Sequence, residues 1–223
     1  MTPLASLALA SAAFVGSHFA MSHPLRAAMV ARLGQRGFLG VYSLISFATF
    51  GWMVMAFRAA HRGAPFLWDA GDAGWIAGSL LLLLGSILLV GSLRRNPAFP
   101  TGGVPVTHIG DPVGVFRITR HPMLWGFILW ATTHAIVAPT PPSLILVAAI
   151  AILSIGGGIG QDSKKERLIG DPWREWEEQT SFVPFGRGFA SPGAFALLGG
   201  TALFLLATFA HGAIGAGPWR WLN

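Results

Sequence analysis

Six long apolar runs, separated by short segments that carry most of the charge, constrain the fold of this chain more than any other feature. An α-helix needs about 20 residues to cross the roughly 30 Å hydrocarbon core of a bilayer. The runs predict transmembrane helices at residues 3–21, 38–57, 73–93, 122–137, 143–160 and 192–212. We therefore expect residues 1–223 to form one all-α integral membrane domain, a bundle of about six transmembrane helices with short cytoplasmic interfacial helices.

The composition excludes several functional classes. Of the 223 residues, 53% are hydrophobic and 11% are charged, which is typical of a membrane protein. The basic residues separate the apolar runs instead of forming one patch, so we expect membrane lipid and not nucleic acid as a partner. The chain has no cysteine, which leaves imidazole and carboxylate as metal ligands. No basic segment precedes the first run, so we expect a retained helix and not a signal peptide.

The lysines and arginines predict the orientation of the bundle in the membrane. Twelve lie in one set of alternate connections and three, Arg58, Arg62 and Arg220, lie in the other. Because basic loops stay in the cytoplasm, the sequence predicts both termini outside the cytoplasm. Proline and glycine make residues 94–120 an irregular loop that packs across the cytoplasmic mouth. The charged segment 162–185, with interleaved Trp and Leu, predicts a pair of short interfacial helices.

His18 and His134 are each predicted to lie deep in an apolar run that contains no Asp, Glu, Lys or Arg. An ionisable side chain in hydrocarbon needs a partner, and it therefore indicates a functional site. A hydrogen bond to a hydroxyl on another helix is one candidate partner. The other is a metal: two neutral imidazoles from different helices, each about 2 Å from the iron, form the axial ligands of a b-type haem.

A haem also needs an apolar pocket and cations for its two propionates. Trp130 lies one turn before His134, and Arg26, Arg117 and Arg120 are among the cytoplasmic arginines expected to hold the propionates. At about 1.5 Å per residue, His134 is roughly 20 Å from the level of Arg120, whereas His18 is roughly 12 Å from the level of Arg26. Tilt or uneven helix ends would have to remove this difference in depth, or His121 or another residue would replace one ligand.

The remaining histidines fall at predicted helix ends or in loops. His121 lies between Arg120 and Pro122, with Arg117 one turn earlier. This corner is either a basic helix start anchored at lipid headgroups or a site for a carboxylate or phosphate. Interfacial or solvated positions account for the other four, which are His23, His61, His108 and His211.

An ordered set of motifs resembles the NnrU family over nearly the whole chain. In chain order they are Gly16-Ser17-His18, Pro24-Leu25-Arg26, Arg120-His121-Pro122-Met123 and the segments 130–134, 162–165 and 180–185. That family includes proteins associated with bacterial denitrification and, more distantly, the 15-cis-zeta-carotene isomerases. The resemblance implies a bacterial cytoplasmic membrane protein that binds haem b through His18 and His134, with His121 as a further functional, catalytic histidine. The cysteine associated with ligand exchange in the isomerases would align near Ala131.

A second resemblance is to the isoprenylcysteine carboxyl methyltransferase and phospholipid methyltransferase group. Segments 118–126, 165–168 and 170–176 carry it. It implies an S-adenosylmethionine site that uses Arg120, His121 and Glu166.

These resemblances give three functional expectations. The first is redox or cis–trans isomerase chemistry at a haem iron, on a small or lipophilic ligand such as a carotenoid. The second is an S-adenosylmethionine-dependent membrane methyltransferase. The third is a non-catalytic membrane factor that supports nitrogen-oxide metabolism.

Overall fold

The computed structural model describes residues 1–99 and 106–212 and is all-helical in those residues. Their α-helices, in chain order, are α1 (Pro3–Ser22), α2 (Arg26–His61), α3 (Gly71–Gly91), α4 (Pro122–Val137), α5 (Pro141–Ile169), α6 (Asp171–Gln179) and α7 (Ala194–Gly212). A 3₁₀ turn, Gly114–Arg117, precedes α4. The all-α prediction is confirmed.

Six of the helices are apolar and correspond to the six predicted spans. Helices α1, α2, α3, α5 and α7 are long and apolar enough to cross a membrane, whereas α4 is apolar but has only 16 residues. Their outward faces carry large exposed hydrophobic side chains, such as Phe47, Leu80 and Leu206. Bare apolar surface of this extent is stable in lipid and not in water, so the chain is a membrane protein.

The long helices form an arc in which α2, α1, α5, α4, α3 and α7 follow one another as packed neighbours. At one end, which we call the basic end, α1 is followed by Arg26 and α4 is preceded by Arg120. At the other, the far end, the connections contact one another: the Leu67 amide donates to the Pro139 carbonyl at 2.9 Å. Trp68 Nε1 donates to the Ile136 carbonyl there as well, at 3.2 Å.

Helix α2 is longer than its predicted span of 38–57. It begins at Arg26 and is interrupted at Gly34, where φ is 69° and ψ is 169°. Only glycine adopts that conformation readily, so Gly34 lets a short helical segment at the basic end turn into the long span. Helix α5 also continues past its predicted end, through Ile169. The charged segment 162–185 therefore supplies the last turns of α5 and one short helix, α6, where a pair of separate short helices was predicted.

The basic end has its own apolar core. This core includes three residues of the irregular loop, Val115, Phe116 and Ile118. They pack against Trp173 and Trp176 of α6. Asp171-Pro172 starts α6 with Pro in its first turn. Trp173 is fully buried on the apolar face of this helix, which is directed inward. The described part of the loop thus packs across the basic end, as predicted.

Glycines set the close approach of α3, α4 and α7. A Cβ on Gly126 would lie 2.9 Å from the Gly85 carbonyl oxygen, and a Cβ on Gly85 would lie 3.1 Å from the Gly126 oxygen. Gly200 of α7 packs in the same way against the backbone of Ile87. Small residues let helix backbones meet, which is how membrane helices gain packing contacts without a hydrophobic driving force.

Candidate functional site

His134 and His211 face each other near the far end, on α4 and α7. Their ring centroids are 6.2 Å apart, with 47° between the ring planes. The His134 Nδ1–H donates to the Trp130 carbonyl at 2.9 Å, and the His211 Nδ1–H donates to the Ala207 carbonyl at 2.7 Å. A carbonyl only accepts, so the proton is on Nδ1 and the Nε2 lone pair is left free. Among the described residues, neither Nε2 has a hydrogen-bond partner.

Both rings line a cavity of about 460 Å³, which we call the apolar cavity. Helices α2, α3, α4, α5 and α7 contribute side chains to it, and almost all of that lining is apolar. Trp130 packs on the His134 ring at 4.3 Å between centroids and closes one side. The predicted neighbourhood of Trp130 and His134 is therefore present.

His18 lies on α1 in a second cavity, of about 480 Å³, which we call the His18 cavity. Its Nδ1–H donates to the Phe14 carbonyl at 2.7 Å, and its Nε2 accepts from the Ser46 hydroxyl at 3.2 Å. Both ring nitrogens thus have partners within the protein. This is the hydroxyl contact that the sequence left open as one explanation of an intramembrane histidine.

The two cavities are neighbours. Phe50, Phe127 and Ile150 line both of them, and they form the wall between the His18 cavity and the apolar cavity. The structure therefore brings His134 together with His211 and places His18 on the other side of this wall. The difference in depth computed from the sequence agrees with that separation.

Arg120 and His121 form a buried ionic corner at the basic end. Asp162 of α5 lies between them: its Oδ2 is 2.8 Å from Arg120 Nη2, and its Oδ1 is 2.9 Å from His121 Nε2. His121 is 3% exposed. The anion that this corner holds is thus a carboxylate of the chain itself, which fixes α4 to α5. Breaking such a buried pair typically costs about 3–5 kcal/mol.

Two carboxyl groups meet beside this corner. Glu177 Oε1 lies 3.5 Å from Arg120 Nη2, and its carboxyl group neighbours that of Glu166. Burial, the Glu166 contact and the charge of Asp162 raise the pKa of Glu177 to about 7. The Glu177 carboxyl therefore holds its proton to a higher pH than an ordinary glutamate does.

The other predicted arginines lie at the basic end. The Arg26 guanidinium lies 4.9 Å from the centre of the Phe38 ring. Arg117 is exposed at the end of the 3₁₀ turn. Neither lines the apolar cavity.

Comparison with known protein families gives a match: the family model described as NnrU protein matches residues 6–218. The chain belongs to the NnrU family. Neither the curated proteins nor the solved structures give a significant match to it. The family match includes every residue of the two cavities and of the ionic corner, so these features lie within the NnrU domain.

Sequence reasoning on this NnrU chain assigned His211 to an interface and did not pair it with His134. A signal for it was present. The predicted spans 122–137 and 192–212 end on the same side, and His134 and His211 are each within three residues of those ends. Equal depth on two spans makes contact feasible, but only the packing of α3 between α4 and α7 shows that these helices approach each other.

Proposed function

We propose that this NnrU-family protein is a membrane haem b protein whose axial ligands are His134 and His211. The facing of these two imidazoles across 6.2 Å carries the proposal. Imidazoles bound to opposite sides of one metal, at about 2 Å from each nitrogen, have their ring centres about 6 Å apart. His18, the second ligand expected from the sequence, would have to give up its Ser46 contact and reach across the wall between the cavities.

Hydrogen bonds within each helix leave the Nε2 atoms of His134 and His211 free to bind a metal. Each of the two rings is held by a hydrogen bond from Nδ1–H to a carbonyl one turn earlier on its own helix, at 2.9 Å for His134 and 2.7 Å for His211. Such a bond fixes the tautomer and the ring orientation and increases the basicity of Nε2. Metal-ligating histidines generally have this arrangement.

The apolar cavity fits a porphyrin better than a hydrated ion. Its volume, about 460 Å³, lies in the range of cofactor sites, and its lining is nearly all hydrocarbon and aromatic. No lysine or arginine occurs among its described lining residues. Cations outside this lining would therefore have to neutralise the propionates.

Haem, when bound, supplies a redox-active iron. The chain's own residues would determine what that iron meets: His134 and His211 would hold it, Trp130 would orient the His134 ring, and the apolar walls would exclude water. A ligand that reaches this site must be small or lipophilic. We therefore propose redox or cis–trans isomerase chemistry on such a ligand, a carotenoid or a nitrogen oxide being examples, with a role in nitrogen-oxide metabolism as one setting.

The methyltransferase and the non-catalytic factor stay predictions from the sequence. The former needs Arg120, His121 and Glu166 at an S-adenosylmethionine site. In the structure Arg120 and His121 contact Asp162, and Glu166 contacts Glu177. These contacts favour a structural role for the corner, which holds α4, α5 and α6 together.

For location, we propose the bacterial cytoplasmic membrane, with the basic end facing the cytoplasm. The positive-inside rule supports this orientation, because lysine and arginine are concentrated at the basic end.

Absorption spectroscopy of the purified protein tests the haem proposal. The protein, expressed with a haem precursor, is expected to show a Soret band and the visible bands of a low-spin, six-coordinate b-type haem. His134→Ala and His211→Ala should each lose haem or convert it to a high-spin form, because one axial ligand is gone.

His18→Ala and His108→Ala serve as controls, since His108 is exposed in a loop and lines neither cavity. Both should keep the wild-type spectrum. A colourless wild-type protein would contradict haem binding altogether. A spectrum that changes in His18→Ala and not in His211→Ala would instead establish the ligand pair expected from the sequence.

A further inference from the structure

We propose that the His18 cavity is a binding site for a single-chain anionic amphiphile, of the type of a long-chain fatty acid, with its carboxylate at Lys164. The proposal goes beyond haem binding and does not depend on it. The cavity is polar at the basic end and aromatic in the membrane interior, so it matches a molecule with one charged end and one hydrocarbon chain.

Lys164 is the charged group at the polar end. It is partly buried on α5 and lines the cavity together with His23 and Gln161. Within residues 1–99 and 106–212 it has no hydrogen-bond or ion-pair partner, and no Asp or Glu lines the cavity. Its neighbour Lys165 differs, because its Nζ donates to the Pro97 and Phe99 carbonyls at 2.9 and 3.3 Å.

The electric field at this end is positive. Arg26 and Arg167 lie close enough to Lys164 to repel its charge. Burial, followed by the charges of Lys164 and Arg167, lowers the pKa of His23. Arg26 and Arg167 do not line the cavity, but their charge adds to that of Lys164 and favours an anion beside it.

Neutral donors extend the polar end. The Ser22 hydroxyl donates to the Tyr42 oxygen at 3.3 Å, and both side chains line the cavity. The Tyr42 O–H is then available as a donor of its own. A carboxylate at Lys164 would therefore meet a lysine together with neutral polar groups at this end of the cavity.

The apolar part suits a hydrocarbon chain. Phe14, Phe19 and Leu153 line its sides, and Phe50, Phe127 and Ile150 form its inner wall. A chain that extends from Lys164 to this wall ends beside the apolar cavity. The bound amphiphile would therefore lie next to the proposed iron site without entering it.

One lysine and one cavity of about 480 Å³ favour a molecule with one chain over a two-chain phospholipid. Photo-crosslinking of the full-length protein in phosphatidylcholine nanodiscs tests this occupant. The probe is a palmitate with a diazirine in its chain, and labelled residues are located by mass spectrometry. We expect labels around Phe14, Phe50 and Phe127, removed by excess oleate and not by oleyl alcohol.

Two variants test the site itself. Lys164→Gln should reduce labelling about tenfold, because a charge-assisted contact is lost, whereas Lys164→Arg should retain it. Gly157→Leu should abolish labelling, since Gly157 lines the cavity and an added Cβ meets nothing within 4 Å, so the side chain fits and fills the space. Thermal unfolding of each variant checks that it folds.

Two matched controls remove a positive charge or add a leucine side chain outside the cavity. Arg32→Gln removes a charge from an exposed residue at the basic end, and Gly16→Leu adds a side chain at an open position on α1. Both should label like the wild type. Equal competition by oleyl alcohol, stronger competition by phosphatidylglycerol than by oleate, or unchanged labelling in both cavity variants would overturn the proposal. Loss of haem absorbance in Lys164→Gln would also overturn it, by making Lys164 a propionate anchor.

Discussion

At the scale of single residues, three histidines in spans use the same local device. His18, His134 and His211 each donate from Nδ1 to the carbonyl four residues earlier on the same helix. This bond satisfies one ring nitrogen without help from another helix. What distinguishes the three is Nε2, which accepts from Ser46 in the case of His18 and has no partner in the described chain for the other two. The surroundings of one atom thus separate a satisfied histidine from a candidate ligand.

Glu177 gives a prediction about pH at the same scale. Its pKa is raised from 4.5 to about 7, so the folded protein favours the protonated carboxyl. The stabilisation from this preference is fully present below about pH 4.5 and is lost as the pH rises through about 7. Glu177→Gln should remove that loss, and its unfolding temperature in detergent should fall less than that of the wild type between pH 5 and 8.

The control for this experiment is Glu178→Gln, at an exposed position on the same helix. It should show the wild-type dependence on pH. An identical pH profile for Glu177→Gln and the wild type would mean that the proton on Glu177 does not contribute to stability.

At the scale of elements, the site depends on how closely α3 brings α4 and α7 together. Gly85 and Gly126 meet backbone to backbone on one side of α3, and Gly200 meets Ile87 on another. These contacts hold α4 and α7 on neighbouring faces of one helix, where His134 and His211 come into contact. The position of the imidazole pair therefore follows from glycines that carry no chemistry of their own.

A single methyl group should test this packing. In Gly126→Ala the new Cβ would lie 2.9 Å from the Gly85 oxygen, so α3 and α4 must separate. Overpacking of this kind typically costs about 1–3 kcal/mol, and we expect a lower unfolding temperature together with reduced haem retention.

Gly40→Ala is the matched control, because a Cβ at this exposed position on α2 meets nothing within 4 Å. Helix propensity alone should make it neutral or more stable, by up to about 1 kcal/mol. Equal stability of Gly126→Ala and Gly40→Ala would show that the α3–α4 contact tolerates more space than the structure gives it.

At the scale of the whole molecule, the arc of helices has two chemically different ends. The basic end is closed by a core that includes Trp173 and Trp176 and by the Arg120–Asp162 pair. The far end has the connections 62–70 and 138–140 and the imidazole pair. The two cavities follow this division, since Lys164 of one lies at the basic end, whereas His134 and His211 of the other lie toward the far end.

The orientation of the whole molecule can be measured on a background without cysteine. A membrane-impermeant maleimide added to intact spheroplasts should label Pro65→Cys, in the exposed far-end connection, and should not label Ser163→Cys, which is exposed at the basic end. Permeabilised cells should label both. The reverse pattern in intact spheroplasts would place the basic end outside the cytoplasm and contradict the positive-inside argument.

The sequence by itself determined that this chain is a helical membrane protein of the NnrU family, and it located the spans to within a few residues at most ends. The length of an apolar run and the charge of a connection are local properties of the sequence. In a bilayer, an apolar run of sufficient length forms a helix. The exceptions were the start of α2, where a short helical segment precedes the break at Gly34, and the end of α5, where polar turns follow Gly160. The hydropathy of the sequence does not predict how far a helix continues outside the membrane.

Only the tertiary structure decided which side chains meet. The sequence marked His18 and His134 because both are ionisable groups in apolar runs, but depth along a helix does not reveal which neighbour a side chain faces. The order of helices in the arc places His211 beside His134, gives His18 its Ser46 partner and directs His121 to Asp162. Each of these contacts joins residues at least 28 positions apart in the chain, and such pairings depend on helix packing.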